Sequence, residues 1–315
     1  MSIENNDAGP PSLSIVIGTL NRLDQLKRCV DSVLCETKTP TKIYITDAGS
    51  SDGTIEYLQS IASDVLIPIF VGKKLGQAKA YNDVFDIIDT TYVCWLSDDN
   101  EVVNRGLDCA VEILKRESMI GMVALKTKDQ KGPFMSAPYI GGVSEAGILN
   151  VNQGVLRSAV LKQVGGFCEE FRDYGIDPAL TAEVLFAGYK VVYTKKVALH
   201  HYRNWSADPA SDNYKWLNER HSAAKALYSQ RYSNDALNPD ILYFIKSKLA
   251  VGIKRIGKHF FSGSLLRRSS FLRTCINILS GRYISLLDPI MSIGKDYHLV
   301  QKMESNSITY GNNTN

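Results

Sequence analysis

Residues 13–18 form a short run of apolar, β-branched side chains, the pattern of a strand buried on both faces. Between 22 and 34 the apolar positions are Leu23, Leu26, Val30, Val33 and Leu34, which is helical spacing. The same unit then recurs. A strand over 42–46, entered after Pro40, leads to a helix over 52–61 whose N-cap lies at Ser51/Asp52. A strand over 65–71, a helix over 77–88, a strand over 92–96 and a helix over 104–117 follow. Strands alternating with helices in this way predict βαβ units and a mostly parallel sheet, an α/β fold.

Ligands of such sheets bind beyond the carboxyl ends of the strands. Three polar loops should therefore meet at one edge: residues 19–22, 47–54 and 97–100. After 117 the pattern is less regular. Residues 126–147, rich in Gly, Pro, Ser and Lys, read as a long loop or lid. Helices are predicted over 157–164 and 178–186 and strands over 190–193 and 197–200, and from Tyr214 onward the chain has a helical period and a basic character. Residues 1–11, polar and Pro-terminated, read as a loose arm.

Composition narrows the class. With 315 residues, 44% hydrophobic and 22% charged, the chain is an ordinary globular protein with room for a sizeable core. Six cysteines at 29, 35, 94, 109, 168 and 275 show no C-x-x-C and no zinc spacing, so free thiols in a reducing compartment are expected. Neither a signal-peptide pattern nor an apolar run of membrane-spanning length is evident, which points to the cytoplasm. The formal charge of +3 is uneven. Residues 1–200 hold 20 Lys+Arg against 25 Asp+Glu, a net of −5, whereas 201–315 hold 16 against 8, a net of +8. Within the basic part, 241–280 mixes apolar residues with Lys and Arg and has no acidic residue. Such a stretch suits the surface of an anionic membrane, or helices packed on the domain with a solvated basic face. No nucleic-acid-binding motif accompanies the charge.

The loops carry the chemistry. Asp98 and Asp99 follow an apolar strand directly, and adjacent carboxylates there repel unless a cation or hydrogen-bond donors offset them. Mg²⁺ or Mn²⁺, shared with phosphate oxygens, is one solution; a loop that caps the next helix is another. The segment 47–54 has two glycines and short polar side chains, and reads as a tight turn with an N-cap. Asp47 at its head is also placed to accept from a nucleobase N–H. Neither G-x-x-x-x-G-K-[ST] nor G-x-G-x-x-G is present, which counts against P-loop ATPases and Rossmann dehydrogenases.

Five motifs now occur in order: Ser14-Ile15-Val16-Ile17-Gly18-Thr19-Leu20-Asn21-Arg22; 47–54; Leu96-Ser97-Asp98-Asp99-Asn100; Gly165-Gly166-Phe167 through Asp177; and Ala187-Gly188-Tyr189-Lys190-Val191-Val192-Tyr193. Together they resemble the family 2 glycosyltransferases of GT-A fold, over roughly residues 13–206. The resemblance implies a Rossmann-like mixed, mostly parallel sheet flanked by helices, with a C-terminal helical extension. It divides the chain into the arm 1–11, a catalytic domain over 12–206 and a basic helical region over 207–315. The domain's nucleotide-sugar half is about 12–100 and its acceptor half about 101–206.

The same resemblance implies roles. Thr19, Asn21, Arg22, Asp47, Gly49, Ser50, Asp52 and Asp98 would hold the nucleotide-sugar; Gln77 and Lys79, from their own place at the start of the third helix, would approach a phosphate, with a solvated Lys79 as the alternative. Asp99 would reach a divalent metal (Mn²⁺ or Mg²⁺), helped by His200 or His201, between which the strand register does not choose. Ser97 and Asn100 stand at positions that are often acidic in the family. Asp177 falls at the position of the general base, with Ile176 replacing an acidic neighbour, and it is equally placed to cap a helix beginning at Pro178. Asn152, Gln153 and Arg157 lie where the family often touches donor or acceptor sugar.

The implied reaction is inverting transfer from a UDP-, dTDP- or GDP-linked sugar to an acceptor hydroxyl. A saccharide or lipid-linked saccharide acceptor in polysaccharide or glycolipid synthesis is the family expectation, with possible peripheral membrane association through 241–280. A silent nucleotide-sugar-binding scaffold and a sugar nucleotidyltransferase are the rival readings.

Overall fold

The computed structural model describes residues 12–131, 135, 138–141, 151–203, 208–232 and 297–301. The arm 1–11 and the basic stretch 241–280 lie outside the described residues. The chain begins β1 (Leu13–Thr19), α1 (Leu23–Glu36), β2 (Thr41–Asp47), α2 (Thr54–Ile61), β3 (Leu66–Phe70), α3 (Gln77–Phe85) and β4 (Tyr92–Ser97). It continues through β5 (Asn100–Val102), α4 (Gly106–Arg116), β6 (Ile120–Ala124), β7 (Thr127–Lys131), β8 (Gly154–Arg157), α5 (Ser158–Val164) and α6 (Ile176–Phe186). The last elements are β9 (Lys190–Thr194), β10 (Leu199–Tyr202), α7 (Asp212–Tyr232) and β11 (Tyr297–Gln301).

Eight strands form one sheet in the order β11-β9-β6-β8-β4-β1-β2-β3. Pairings from β4 through β3 and between β6 and β9 are parallel, while β8 runs antiparallel between β4 and β6 and β11 antiparallel to β9. A second sheet, β5-β10-β7, stands apart from it. One alternation explains the continuous apolar run in β1. Ile15 and Ile17 pack with Leu26, Val30 and Val33 of α1 and with α4, while Val16 faces the other way, toward Tyr81 and Val84 of α3. Both faces are covered, so neither parity of the strand needs to be polar.

The first hundred residues follow the expected units closely. Beyond them several expectations are corrected. The stretch 126–147 does not begin as a lid: Thr127–Lys131 is strand β7, and Tyr139 pairs with Thr127 through two backbone bonds of 2.7 and 2.8 Å. Residues 120–124, assigned to no element by the sequence pattern, form buried β6. The helix expected at Pro178 starts two residues earlier, at Ile176, with Gly175 (φ 89°) as its N-cap.

Asp108, in the first turn of α4, fastens the α1–β2 loop. Its carboxylate accepts from the backbone N–H of Lys38 (3.0 Å) and Thr39 (2.8 Å), from Thr39 Oγ1 (2.7 Å) and from Arg105 Nε (2.9 Å). Burial pushes its pKa up, but these donors outweigh it and leave the group below the usual carboxylate value. Asp108→Ala removes the shared acceptor of these partly buried bonds and is expected to cost about 1–2 kcal/mol in a urea unfolding titration at pH 7. In the wild type this stabilisation is complete above the unfolded-state pKa and is lost as pH falls through the lower folded-state value, so the difference between the two proteins should shrink in acid.

Candidate functional site

The strand ends bring three loops together, and hydrogen bonds stitch them. Asn21, in the left-handed region (φ 53°), donates its backbone N–H to Ser50 Oγ (2.9 Å), and its own Oδ1 accepts from Ser51 N (2.8 Å). Asp52 accepts from Leu23 N (3.0 Å) and from Thr54 Oγ1 (2.6 Å), so it ties the start of α1 to the start of α2. Asp47 is fully buried, and its carboxylate is taken up by its own loop: Gly49 N and Ser50 N at 2.9 Å and Ser50 Oγ at 2.5 Å. Gly49 has φ 98°, and a Cβ there would meet the Gly72 carbonyl oxygen at 3.0 Å. The Asp47 oxygens thus hold the loop in shape, Asn21, Ser50 and Asp52 tie it to its neighbours, and Gly49 lets Gly72 approach closely.

The acidic pair divides its labour. Asp98, buried, accepts from Thr19 Oγ1 and pairs with Arg22 Nη1, both at 2.9 Å. Burial pushes its pKa up to about 6, with Asp99 adding to the rise and Arg22 and Thr19 opposing it. Asp99 lies 3.4 Å from the same Arg22 nitrogen and 3.1 Å from His201 Nε2. Burial raises its pKa as well, yet His201 and Arg22 outweigh that and hold it below the ordinary value.

The strand register settles the histidines. On β10, His201 faces Asp99, whereas His200 pairs with Glu101 at 3.2 Å. His200 is thus removed from the expected metal set. Asp99 Oδ1 and His201 Nε2 converge and are partly shielded from water, but among the described residues no group of three or more His, Cys, Asp or Glu could hold a metal alone. Two protein donors with phosphate oxygens and water filling the other positions is an ordinary arrangement for Mg²⁺, so the pair fits a cation that arrives with a diphosphate.

Asp177 is near enough to the acidic pair that the buried Tyr81 hydroxyl feels the charge of both Asp98 and Asp177. Its carboxylate accepts from Trp95 Nε1 at 3.1 Å; the same indole N–H reaches the Asn152 carbonyl at 2.9 Å. Burial pushes the Asp177 pKa up to about 8, opposed only partly by the indole bond. Asp177 is not the helix cap, since the helix has already begun at Ile176.

Other expected residues fall in different places. Asn152 is linked to Asp177 through Trp95, whose indole N–H reaches both. Gln153 presents a buried Oε1 with no hydrogen-bond partner among the described residues. Gln77 begins α3, its N–H donating to Asp173 Oδ1 (2.9 Å) in the loop before Asp177. Lys79 is exposed and paired with Asp83 one turn on. Arg157 is corrected. It lies opposite Tyr92, at the far end of β4, with its guanidinium on the carbonyls of Leu114, Glu117 and Ile120.

Four residues escaped the sequence reading: Trp95, Asp129, Tyr139 and Arg203. Asp129 stood as a lone acid in a lysine-rich stretch. Arg203 did leave a signal, because it follows His201 by two, the spacing that keeps side chains on one face of a strand.

This sheet, with its acidic element after β4 and a buried carboxylate at the start of α6, is the GT-A fold of nucleotide-sugar transferases, as the motifs implied. Residues 14–137 match the Glycosyl transferase family 2 model, which bears out the resemblance for that stretch. An uncharacterized glycosyltransferase of Nostoc sp. (strain PCC 7120) is 31% identical over 114 residues, 35% of this chain. The match spans only about a third of that relative's length (35%). Among solved structures, the mannosyltransferase PcManGT of Pyrobaculum calidifontis, in complex with GDP-Man and Mn²⁺, aligns with a TM-score of 0.52 at 20% identity, covering 71% of this chain and 67% of that one. S. aureus TarS 1–349 in complex with UDP-GlcNAc aligns with a TM-score of 0.53 at 15% identity, covering 83% and 79%.

Proposed function

We propose that the protein is an inverting glycosyltransferase that moves a sugar from a nucleotide-diphospho-sugar to an acceptor hydroxyl. The observation that carries this reading is the pairing of environments at one strand edge. A buried carboxylate with a raised pKa, Asp177, is held by Trp95 of β4, and the same strand leads into the acidic pair Asp98 and Asp99, which holds Arg22. In the reaction the acceptor oxygen attacks the anomeric carbon as the bond from that carbon to the diphosphate oxygen breaks. Asp177 takes the hydroxyl proton, and the bonding electrons leave with the nucleoside diphosphate. Arg22, half exposed beside the two carboxylates, supplies positive charge for the leaving diphosphate. Asp99 and His201 would hold a divalent ion, whose chemistry when bound is to offset charge on the diphosphate.

The relatives support this reading through what their own structures contain: GDP-Man with Mn²⁺ in one and UDP-GlcNAc in another. The choice among UDP-, dTDP- and GDP-sugars, a saccharide or lipid-linked acceptor, a role in polysaccharide or glycolipid synthesis and association of 241–280 with an anionic membrane belong to the same proposal. Among the described residues no helix is long and apolar enough to cross a membrane.

A general base must be ionised to act, and Asp177 ionises at about 8. The logarithm of kcat/KM should therefore rise with a slope near +1 up to about pH 8 and level off above it. The broader test is a panel of UDP-, dTDP- and GDP-sugars, with and without Mn²⁺, followed by thermal shift and by release of nucleoside diphosphate. Stabilisation and Mn²⁺-supported turnover by one nucleotide class are expected. Binding without turnover across a broad acceptor panel would instead identify a scaffold subunit.

A further inference from the structure

Behind His201, on the side away from Asp99, lies a buried polar cluster that the proposed reaction does not use. The small sheet builds it: β10 supplies His201, and parallel β7 supplies Asp129 as its register partner. Asp129 Oδ1 is 3.3 Å from His201 Nδ1 and accepts from Tyr139 Oη at 2.5 Å. Tyr139 Oη is itself 3.0 Å from His201 Nδ1 and accepts from Arg203 Nη2 at 2.7 Å. Arg203 Nε pairs with Asp129 Oδ2 at 3.1 Å, and the guanidinium lies over the Tyr139 ring, 5.4 Å from its centroid. Asp129, Tyr139 and Arg203 are all buried.

The proton inventory gives this cluster a direction. The single Tyr139 hydroxyl hydrogen is spent on Asp129, and every Arg203 nitrogen is a donor, so the groups facing His201 Nδ1 are acceptors. Nδ1 must carry hydrogen. The imidazole is held with its N–H toward Asp129 and Tyr139 and with Nε2 toward Asp99. Burying an ion pair of this kind adds little stability over apolar packing, so folding alone is a weak reason to keep it.

We propose that Asp129, Tyr139 and Arg203 are positioning residues that fix the tautomer and ring orientation of His201, so that Nε2 is presented as a ligand to a divalent cation shared with Asp99. This rests on the metal-assisted reading above. Carboxylates that orient a ligating histidine in this way change metal affinity by about 10–100-fold when they are mutated.

The experiment is a titration of Mn²⁺ against the full chain by electron paramagnetic resonance, alone and with UDP or GDP. Wild type is compared with Asp129→Asn, Tyr139→Phe, His201→Ala and the Asp129→Asn/His201→Ala pair, each checked by its melting temperature. Asp129→Asn should weaken Mn²⁺ by about 10–100-fold. Tyr139→Phe, which changes no charge and serves if Asp129→Asn does not fold, should weaken it in the same direction. In the His201→Ala background Asp129→Asn should have no further effect, because its route to the metal is gone. The proposal is overturned if Asp129→Asn and Tyr139→Phe bind Mn²⁺ as wild type does while His201→Ala does not; the metal reading then survives without it. An equal loss from Asp129→Asn with and without His201 overturns it as well. Absence of Mn²⁺ binding by wild type under all three conditions removes both.

Discussion

Asp177→Asn should lower turnover by about 10²–10⁴-fold while leaving donor binding in place, and it should make the protein more stable. The first effect is the contribution expected of a positioned general base. Asn keeps the shape and can still accept from Trp95 Nε1, but it cannot take a proton. The second effect follows from the raised pKa. Unfolded, the carboxyl ionises at about 4; folded, at about 8. Between these values the unfolded chain holds fewer protons than the native one, so stability falls as pH rises from about 4 to 8. The amide removes that penalty. At pH 8 the variant should melt above wild type, and the gap should close toward pH 4. Differential scanning calorimetry across that range, beside initial rates, reads both effects. Loss of activity together with lower stability at pH 8 would make Asp177 a structural group rather than a base.

Phe167→Ala should cost about 3–5 kcal/mol, the range for deleting a buried aromatic ring. Phe167 is buried against Trp95, Phe85 and Tyr81, with ring centroids at 5.7, 5.5 and 6.0 Å. Its N–H donates to Asn82 Oδ1 at 2.9 Å, which locks the Gly165-Gly166 turn onto α3. Trp95, the indole that holds Asp177, packs edge-on against this ring, so the cavity opens beside the base. A urea titration should show a lower midpoint, and the folded remainder should lose kcat more than donor affinity. An unchanged midpoint would mean that the ring is not a structural anchor.

The chain shows where sequence pattern suffices and where it does not. From β1 to β4 each strand has an apolar centre and the helices between carry periodic apolar positions, so the alternation and the site edge could be read directly. Past residue 117 the strands are short, β8 is antiparallel between β6 and β4, and β5, β7 and β10 form a separate sheet, so no regular unit repeats. Motif resemblance pointed to Asp99, Asp177 and the pair His200/His201, and the pairing of β10 with β5 set His201 beside Asp99 and His200 beside Glu101. Arg157 was misplaced because the motif resemblance set it near the sugar, while its guanidinium is occupied by backbone carbonyls at the far end of β4. Asp129 and Tyr139 were invisible because their role comes from a contact across β7 and β10 that no local spacing records.

The most direct test of the central claim is stereochemical. With the preferred donor and water or a sugar alcohol as acceptor, proton NMR at early times reads the anomeric configuration of the first product. Direct displacement with Asp177 as base predicts the configuration opposite to that of the donor, and its loss in Asp177→Asn. A product that retains the donor's configuration would contradict the account.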